Sequence, residues 1–376
     1  MPEILIQCSA CRTIRQGKNF SGVGGIDSVS LRKGLIVFVL LAFGVNAIVL
    51  ATSVDQQTIS RIASANKLGI LFALFSVICA WLCDGFRFIA IGKAAGEILS
   101  FKLGMTLTFL HYFGCAVTPM QSGGGPFQVY VLYKKKVPIG KGIAITLTRT
   151  LMTLLLLGLT VPVAVVLEPG ILEGSMFLKG IFSYVIVFVV VSWFFVVLSI
   201  LRPRVIKRWS QILILWLKRF GFVKPTKVLA VVRRINREID NYNDNFHMFF
   251  TTGLPQFLWA ICLSALYLFF LFSVLPCLIW SIGLPVNYLQ TLMVQGVFLF
   301  VLYFIPTPGA SGVAEGGGAA LFHLLVPWNL AGVMAITWRF FTEYIGIAIG
   351  VAVAIRLLGW GISEEIYRAD SEQDKM

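Results

Sequence analysis

The stretch that decides the fold is "TPMQSGGGPFQVY", residues Thr118–Tyr130, a cluster of proline and glycine between two strongly apolar segments. A second cluster, "PTPGASGVAEGGG" at Pro306–Gly318, occupies a similar setting much later in the chain. Proline and glycine both disfavour the interior of a helix. Each cluster therefore interrupts the chain where a membrane helix would otherwise continue, and the fold has to accommodate two such interruptions.

The composition around the two clusters is that of a membrane protein. Of the 376 residues, 58% are hydrophobic and 13% are charged, whereas charged residues make up about a quarter of a soluble domain. A helix needs about 20 apolar residues to cross roughly 30 Å of hydrocarbon. Runs of this kind lie near 34–54, 69–91, 101–118, 142–166, 178–200, 256–281, 287–305 and 328–358. The sequence predicts an all-α polytopic protein with about eight membrane helices.

The net charge of +14 is concentrated in the loop 201–252. Basic residues are enriched on the cytoplasmic side of membrane proteins, so we expect this loop, the leader 1–33 and the polar tail 359–376 to be cytoplasmic. The mixture of apolar and basic residues suits helices on an anionic lipid surface. Nothing in it matches a nucleic-acid recognition motif. The basic residues are Arg202, Arg204, Lys207, Arg208, Lys218, Arg219, Lys224, Lys227, Arg233, Arg234 and Arg237.

The two clusters belong to an internal repeat. Thr118-Pro119 corresponds to Thr307-Pro308, and Gly123 corresponds to Gly312. Arg149 follows Thr118 by 31 residues, and Arg339 follows Thr307 by 32. Each membrane half, 34–200 and 253–358, therefore contains an apolar helix, a proline and glycine break, a short amphipathic stretch and a long helix with an early arginine.

A count of membrane crossings gives the two breaks a direction. With both termini and the basic loop in the cytoplasm, the third and fourth spans both begin inside, so the motif 118–133 must turn back within the membrane. The same count makes the motif 306–325 a re-entrant hairpin that opens from the outside. Opposed hairpins form an inverted-topology repeat, an arrangement common in secondary transporters, whose binding sites lie near the midplane at broken helices.

The two deep arginines are the strongest candidates for a binding site. An arginine at the centre of a membrane helix costs about 2.5–3.5 kcal/mol, and intramembrane charges are usually functional. Phosphate is a natural partner because the guanidinium fork fits its oxygens, and free amides at helix N-termini also favour anions. The predicted substrate-binding residues are Arg149, Arg339, Glu343, Glu315, Thr118, Gln121, Ser122, Gly123, Gly124, Gln128, Thr307, Gly309, Ser311 and Gly312.

Plainer interpretations exist for the charged residues. Arg339 and Glu343 are four residues apart on one helix and could simply neutralise each other. Glu315 could pair with Arg149 or Arg339, cap a half-helix or meet a cationic group. Asp84 and Arg87 are interpreted as an interfacial ion pair.

Enzyme signatures are scarce in the chain. It contains no GxxxxGK[ST], HExxH or GxSxG motif, and these motifs mark common nucleotide, zinc and hydrolase sites. We expect no catalytic residue, no cofactor and no metal.

The stretches "TPMQSGGGPFQVYVLYKKKVPIGKGIAITLTRTLMTLLLL", "IPTPGASGVAEGGGAAL" and "ITWRFFTEYIGIAIG" resemble the flippase-like transmembrane domain of the lysylphosphatidylglycerol synthases. The resemblance covers residues 34 to 358, and it departs from the family pattern at Met120, Gln121 and Gln128. It implies movement of phospholipid or lipid-linked headgroups across a prokaryotic cytoplasmic membrane. In the full-length synthases a soluble C-terminal domain transfers the amino acid, and because this chain ends about 18 residues after its last span, we expect no synthesis here.

The leading hypothesis is therefore a lipid flippase or scramblase in which Arg149 and Arg339 receive a lipid phosphate. One alternative is an ion-coupled secondary transporter of a small anionic solute. Another is a non-transporting partner of a lipid or glycan synthase. The expected partners are anionic or phosphate-bearing membrane lipids, together with a second copy of the chain or a lipid-modifying synthase.

Overall fold

The computed structural model describes residues 28–53, 56–118, 121, 123–167, scattered positions between 180 and 194, and 253–357. These residues form an all-helical protein. The helices of the first half are α1 (Ser28–Ser53), α2 (Gln56–Ala63), α3 (Lys67–Ala94), α4 (Phe101–Val117), α5 (Gly124–Lys134) and α6 (Ile139–Leu167). Those of the second half are α7 (Leu254–Ser281), α8 (Tyr288–Leu302), α9 (Val313–Phe322) and α10 (Trp328–Leu357). Within α10, Phe340–Tyr344 form a π-helical turn.

Among the described residues, four helices are long and apolar enough to cross a membrane, namely α3, α6 over Ile139–Leu159, α7 and α10. Shorter apolar stretches occupy Ile36–Ala51 in α1 and Tyr288–Leu302, which is α8. The apolar runs predicted from the sequence coincide with α1, α3, α4, α6, α7, α8 and α10. The run at 178–200 is described only at scattered positions. Residues 1–27 of the leader, the basic loop and the tail lie outside the described residues. The predicted total of eight membrane helices stays a prediction.

Helices α3 and α7, the first long helices of the two halves, lie side by side and antiparallel. Near the start of α3, the Asn66 amide donates to the Ser281 carbonyl at the end of α7 (2.6 Å). Near the end of α3, a β-carbon at Gly253, just before α7, would lie 2.7 Å from the Ala94 carbonyl oxygen. The corresponding helices of the two halves therefore run in opposite directions.

The links that follow α3 and α7 are alike. Both are six residues long, Ala95 to Ser100 and Ile282 to Asn287, and both end in a side chain that caps the next helix. The Ser100 hydroxyl accepts from the Leu103 amide (3.3 Å), and Asn287 Oδ1 accepts from the Gln290 amide (3.2 Å). Such caps satisfy amides that a helix leaves unpaired in its first turn.

The first proline and glycine cluster turns the chain back on itself. A β-carbon at Gly114 in α4 would lie 2.7 Å from the Gly123 carbonyl oxygen, so the two backbones touch at the tip. Farther from the tip, Gln128 Nε2 in α5 donates to the Leu107 carbonyl in α4 (3.0 Å). Helices α4 and α5 therefore form an antiparallel hairpin, as the glycines predict.

The second cluster forms a corresponding hairpin from α8 and α9. The Phe298 and Phe322 ring centroids are 5.7 Å apart, and a β-carbon at Gly318 would lie 3.3 Å from the Phe298 ring. Gly312, just before α9, has φ of +90°, a conformation that a residue with a β-carbon rarely adopts. Glycine is therefore required where this chain reverses.

The two hairpins open towards opposite ends of the bundle, and their tips meet. At one end, Lys141 at the start of α6 pairs with Glu97 before α4 (2.7 Å). The second hairpin leads instead to the start of α10, at the end where α3 begins. At the tips, the Gly309 amide donates to the Cys115 carbonyl (3.1 Å). Whether these hairpins are re-entrant in the membrane stays a prediction.

Candidate functional site

The first charged cluster joins α3 and α6 and consists of Asp84, Arg87 and Arg149; we call it the Asp84 cluster. Arg149 Nε donates to Asp84 Oδ1 (3.0 Å), and Arg149 Nη2 donates to Asp84 Oδ2 (2.8 Å). Arg87 Nη2 also donates to Asp84 Oδ1. Asp84 and Arg87 are completely buried, and Arg149 is 4% exposed. One carboxylate is thus shared by two guanidinium groups in the interior.

Asp84 and Arg87 form an ion pair, as interpreted from their spacing, but the pair is buried in the protein interior. Both are buried because α7 and α6 cover this face of α3. Arg87 lies over the Tyr267 ring of α7, 4.8 Å from its centroid, and its Nη1 donates to the Thr153 hydroxyl of α6 (2.8 Å). The sequence places an acid and a base one turn apart on α3, but their burial results from the packing of two distant helices.

The second charged cluster joins α9 and α10 and consists of Glu315, Arg339 and Glu343; we call it the Glu315 cluster. Arg339 Nε lies 3.1 Å from Glu315 Oε1, whereas Arg339 Nη2 lies 3.9 Å from Glu343 Oε2. Arg339 also donates to the Gly309 carbonyl at the tip of the second hairpin. Glu315 is therefore the main partner of Arg339, and mutual neutralisation by Glu343 alone does not describe the site.

Glu315 accepts two further hydrogen bonds. Its Oε2 accepts from the Gly312 amide (2.6 Å), which caps α9, and its Oε1 accepts from the Tyr344 hydroxyl (2.8 Å). Tyr344 in turn accepts from Asn46 Nδ2 of α1 (3.1 Å). Of the roles considered for Glu315, the structure therefore gives it two, as the partner of Arg339 and as the cap of α9.

A cavity of about 50 Å³ lies between the two clusters. Glu343 of the Glu315 cluster faces it directly, and Thr153 and Tyr267, which contact Arg87, form the wall on the side of the Asp84 cluster. The remaining polar lining is mixed. Its side chains are His111, Tyr112, Cys115, Gln121, Tyr303 and Thr342.

The two clusters carry opposite formal excess charge. With all groups ionised, the Asp84 cluster has two guanidinium groups and one carboxylate, and the Glu315 cluster has one guanidinium group and two carboxylates. Uncompensated charge away from water is costly. The cavity is thus bounded by a wall backed by positive charge and a wall that presents a carboxylate.

Most of the predicted site residues build the hairpins. The Thr118 hydroxyl donates to the Gly114 carbonyl (2.8 Å) and accepts from the Gly123 amide (2.7 Å), which closes the first tip. The Thr307 hydroxyl donates to the Ser311 carbonyl (3.0 Å) in the second. Gln121 and Glu343 are the predicted residues that line the cavity, and Ser122 lies outside the described residues.

The remaining predicted glycines and Gln128 serve close packing. A β-carbon at Gly124 would lie 2.1 Å from His111 Nδ1. Gln128 is buried against α4, where its amide donates to a backbone carbonyl. The structure brings these residues to the hairpin beside the cavity rather than into its lining.

Gln295 connects a proline in α7 to the arginine helix. Pro276 lies inside α7 and has no N–H, so the Phe272 carbonyl four residues earlier loses its helical donor. Gln295 Nε2 donates to this carbonyl (2.7 Å), and Gln295 Oε1 accepts from Trp338 Nε1 (2.8 Å). A single side chain of α8 thus links the interruption in α7 to the residue next to Arg339.

Sequence reasoning missed Asp84 as a site residue, and a signal for it existed. Arg149 has no acid nearby on its own helix, and Asp84 is the acid that lies within an apolar run of the first half. The roles of Tyr267, Thr153 and Tyr344 had no comparable signal, because neutral polar residues are common in membrane helices. In the described parts of the chain, no three His, Cys, Asp or Glu side chains are grouped to hold a metal ion.

Comparison with known proteins places this arrangement in a family. Residues 34–350 match the family described as the lysylphosphatidylglycerol synthase TM region. A UPF0104 membrane protein from Archaeoglobus fulgidus is 24% identical over 319 residues, which cover 84% of this chain and 94% of the relative. The match includes both hairpins and both charged clusters. The chain is a multi-pass membrane protein that belongs to the lysylphosphatidylglycerol synthase transmembrane family.

Proposed function

We propose that this protein is a flippase or scramblase that moves a phosphate-bearing lipid headgroup between the leaflets of a prokaryotic cytoplasmic membrane. The observation that carries the proposal is the excess positive charge of the Asp84 cluster, buried directly behind the wall of the cavity. Two guanidinium groups share one carboxylate there. Phosphate is a ligand whose charge and oxygen geometry match guanidinium groups, and phospholipid headgroups carry it.

The architecture of the two halves supports a transport role rather than a catalytic one. Helices α3 and α7 are antiparallel, and the tips of two oppositely directed hairpins meet at the Gly309–Cys115 hydrogen bond. We infer an inverted-topology repeat with re-entrant hairpins, the arrangement in which secondary transporters hold their sites at mid-membrane. Irregular backbone at such depth must be surrounded by protein or by a water-filled cavity. The two hairpin tips pack against each other, and the first tip also borders the cavity.

The distribution of basic residues supports an orientation. Lys93, Lys102, Lys134 and Lys141 lie at the end of the bundle where α3 and α5 stop and α4 and α6 begin. By the positive-inside rule we assign this end to the cytoplasm. The first hairpin then opens inwards and the second outwards, with both termini inside.

In the proposed mechanism, Asp84 competes with the lipid phosphate for Arg149. The carboxylate occupies the two-point fork that a phosphate would accept, with contacts of 3.0 and 2.8 Å. Arrival of a phosphate allows Arg149 to exchange one anion for another, while Arg87 retains Asp84. The exchange keeps the arginine paired throughout, which avoids the cost of an isolated charge in the membrane.

The test is lipid movement in vesicles that contain the purified protein. Fluorescent phosphatidylglycerol in the inner leaflet should become accessible to an external membrane-impermeant quencher, and protein-free vesicles provide the baseline. Folded, reconstituted protein that leaves the inner-leaflet pool protected would overturn the proposal.

The second candidate is an ion-coupled transporter of a small anionic solute, and the size of the cavity favours it. About 50 Å³ holds only a few water-sized molecules, less than a phospholipid headgroup occupies. Release of trapped inorganic phosphate without movement of fluorescent lipid would select this candidate. Movement of lipid without loss of trapped phosphate would select the flippase.

A further inference from the structure

We propose that Glu343 binds a small monovalent cation, a proton or Na⁺, in the cavity between the two charged clusters. Cation binding itself is independent of the lipid proposal. Its consequence for transport, that a cation accompanies the anionic headgroup, rests on the proposed function.

Glu343 carries the excess charge of the Glu315 cluster. Glu315 is fully engaged: it lies 3.1 Å from Arg339 Nε and accepts from the Gly312 amide and the Tyr344 hydroxyl at 2.6 and 2.8 Å. Glu343 lies 3.9 Å from Arg339 Nη2, beyond hydrogen-bond distance. The single guanidinium group therefore lies closer to the other carboxylate and makes no hydrogen bond to Glu343.

Glu343 is also placed where a cation could reach it. Its side chain is 19% exposed, and the residue lines the cavity. A carboxylate away from bulk water without a full counter-charge is destabilised by several kcal/mol unless a cation or a proton neutralises it. A cavity of about 50 Å³ admits an ion or a water beside it.

The side chains around Glu343 carry oxygen atoms that suit a hard cation. Sodium prefers oxygen ligands, as other hard cations do, and the hydroxyl-bearing residues Tyr112, Tyr267 and Tyr303 line the same cavity. Protonation would instead turn Glu343 into a neutral donor for these groups. The other titratable or charged groups around Glu343 are Arg339 on its own helix, Glu315 on α9, Tyr267 on α7, Tyr303 after α8, and His111, Tyr112 and Cys115 on α4.

Charge balance gives the cation a role in the transport cycle. A phosphate at the Asp84 cluster adds negative charge on one side of the cavity, and the carboxylate of Glu343 already supplies it on the other. A cation at Glu343 removes the repulsion between them. We infer that the cation increases the affinity of the cavity for the anionic headgroup.

Two measurements on the purified full chain distinguish the sources of the cation. For a proton, infrared difference spectra between alkaline and acidic buffer should contain a carboxylic-acid carbonyl band that is lost in Glu343→Gln. For Na⁺, calorimetric titration with NaCl, with N-methylglucamine chloride as the salt control, should give binding that Glu343→Gln weakens at least tenfold. Glu97→Gln, which alters an ion pair at the end of the bundle, is the matched control and should leave both signals unchanged.

If Glu343→Gln does not fold, two comparisons still test the site. Glu343→Asp retains the carboxylate and should keep cation binding, and wild-type protein can be compared in NaCl and N-methylglucamine chloride. A chain whose infrared band and Na⁺ titration are the same in wild type and Glu343→Gln overturns the cation site, even if it scrambles lipid. A Glu343-dependent band or titration in a protein that moves no lipid supports the cation site. That outcome overturns only the flippase proposal.

Discussion

Arg149 on α6 and Asp84 on α3 form a two-point ion pair across 65 residues of sequence, with N–O distances of 3.0 and 2.8 Å. The pair is buried, and Arg87 binds the same carboxylate from one turn along α3. This relationship explains how a deep arginine is tolerated without an acid on its own helix. It also means that a ligand must compete with a protein carboxylate to reach Arg149.

Replacement of Asp84 by asparagine should destabilise the protein strongly. Asp84→Asn leaves two buried guanidinium groups side by side without a counter-charge, and breaking a buried pair in this way costs about 3–5 kcal/mol. Thermal unfolding in detergent should show a large decrease in the melting temperature. Glu97→Gln, at the partly exposed pair with Lys141 (24% and 30% exposed), should cost at most about 1 kcal/mol, and equal losses in the two variants would contradict the role of Asp84.

Substitution of Arg149 by lysine separates charge from geometry. Arg149→Lys retains a positive charge beside Asp84 but cannot make the two-point contact. We expect most of the stability to remain and the rate of lipid movement to fall about tenfold, which corresponds to 1.4 kcal/mol of lost interaction. Wild-type rates in vesicles would show that Arg149 does not contact the moving headgroup.

Gln295 should matter because Pro276 is present. Gln295→Leu leaves the Phe272 carbonyl and the Trp338 indole N–H buried without their partner, at about 1–3 kcal/mol for each unsatisfied group. In a Pro276→Ala background, position 276 regains an N–H for that carbonyl, so Gln295→Leu should cost about 1 kcal/mol less. Chemical denaturation of the four proteins of this cycle measures the coupling, and a coupling of zero would disprove the link.

The tip of the first hairpin offers a comparison of neighbouring glycines. A β-carbon at Gly124 would lie 2.1 Å from His111 Nδ1, whereas one at Gly125 meets no heavy atom within 4 Å. Gly124→Ala should therefore force α4 and α5 apart and lower the free energy of unfolding by about 1–3 kcal/mol through overpacking. The melting temperature should fall accordingly. Gly125→Ala should be neutral or slightly stabilising because alanine is the better helix former. Similar melting temperatures for the two variants would contradict the described contact.

Much of the fold could be read from the sequence because its signals are local. Apolar runs long enough to cross a membrane predicted α3, α6, α7 and α10. The spacing of glycines and arginines predicted a repeat. The two hairpins followed from proline and glycine chemistry at the clusters. The cost of a charge in hydrocarbon predicted that Arg149 and Arg339 need partners, and both arginines have them.

The partners of those arginines were decided only by tertiary structure. A local spacing can suggest that Glu343 neutralises Arg339, yet Glu315 on another helix lies closer because the second hairpin brings its tip beside α10. Likewise, packing of α6 and α7 on α3 places Asp84 and Arg87, expected as an interfacial pair, in a cluster buried in the protein. The sequence by itself determined which segments are apolar enough to cross a membrane and which charges need compensation. Helix packing determined which groups compensate those charges and where a cavity remains between them. These contacts join residues far apart in the sequence, so no local spacing could predict them.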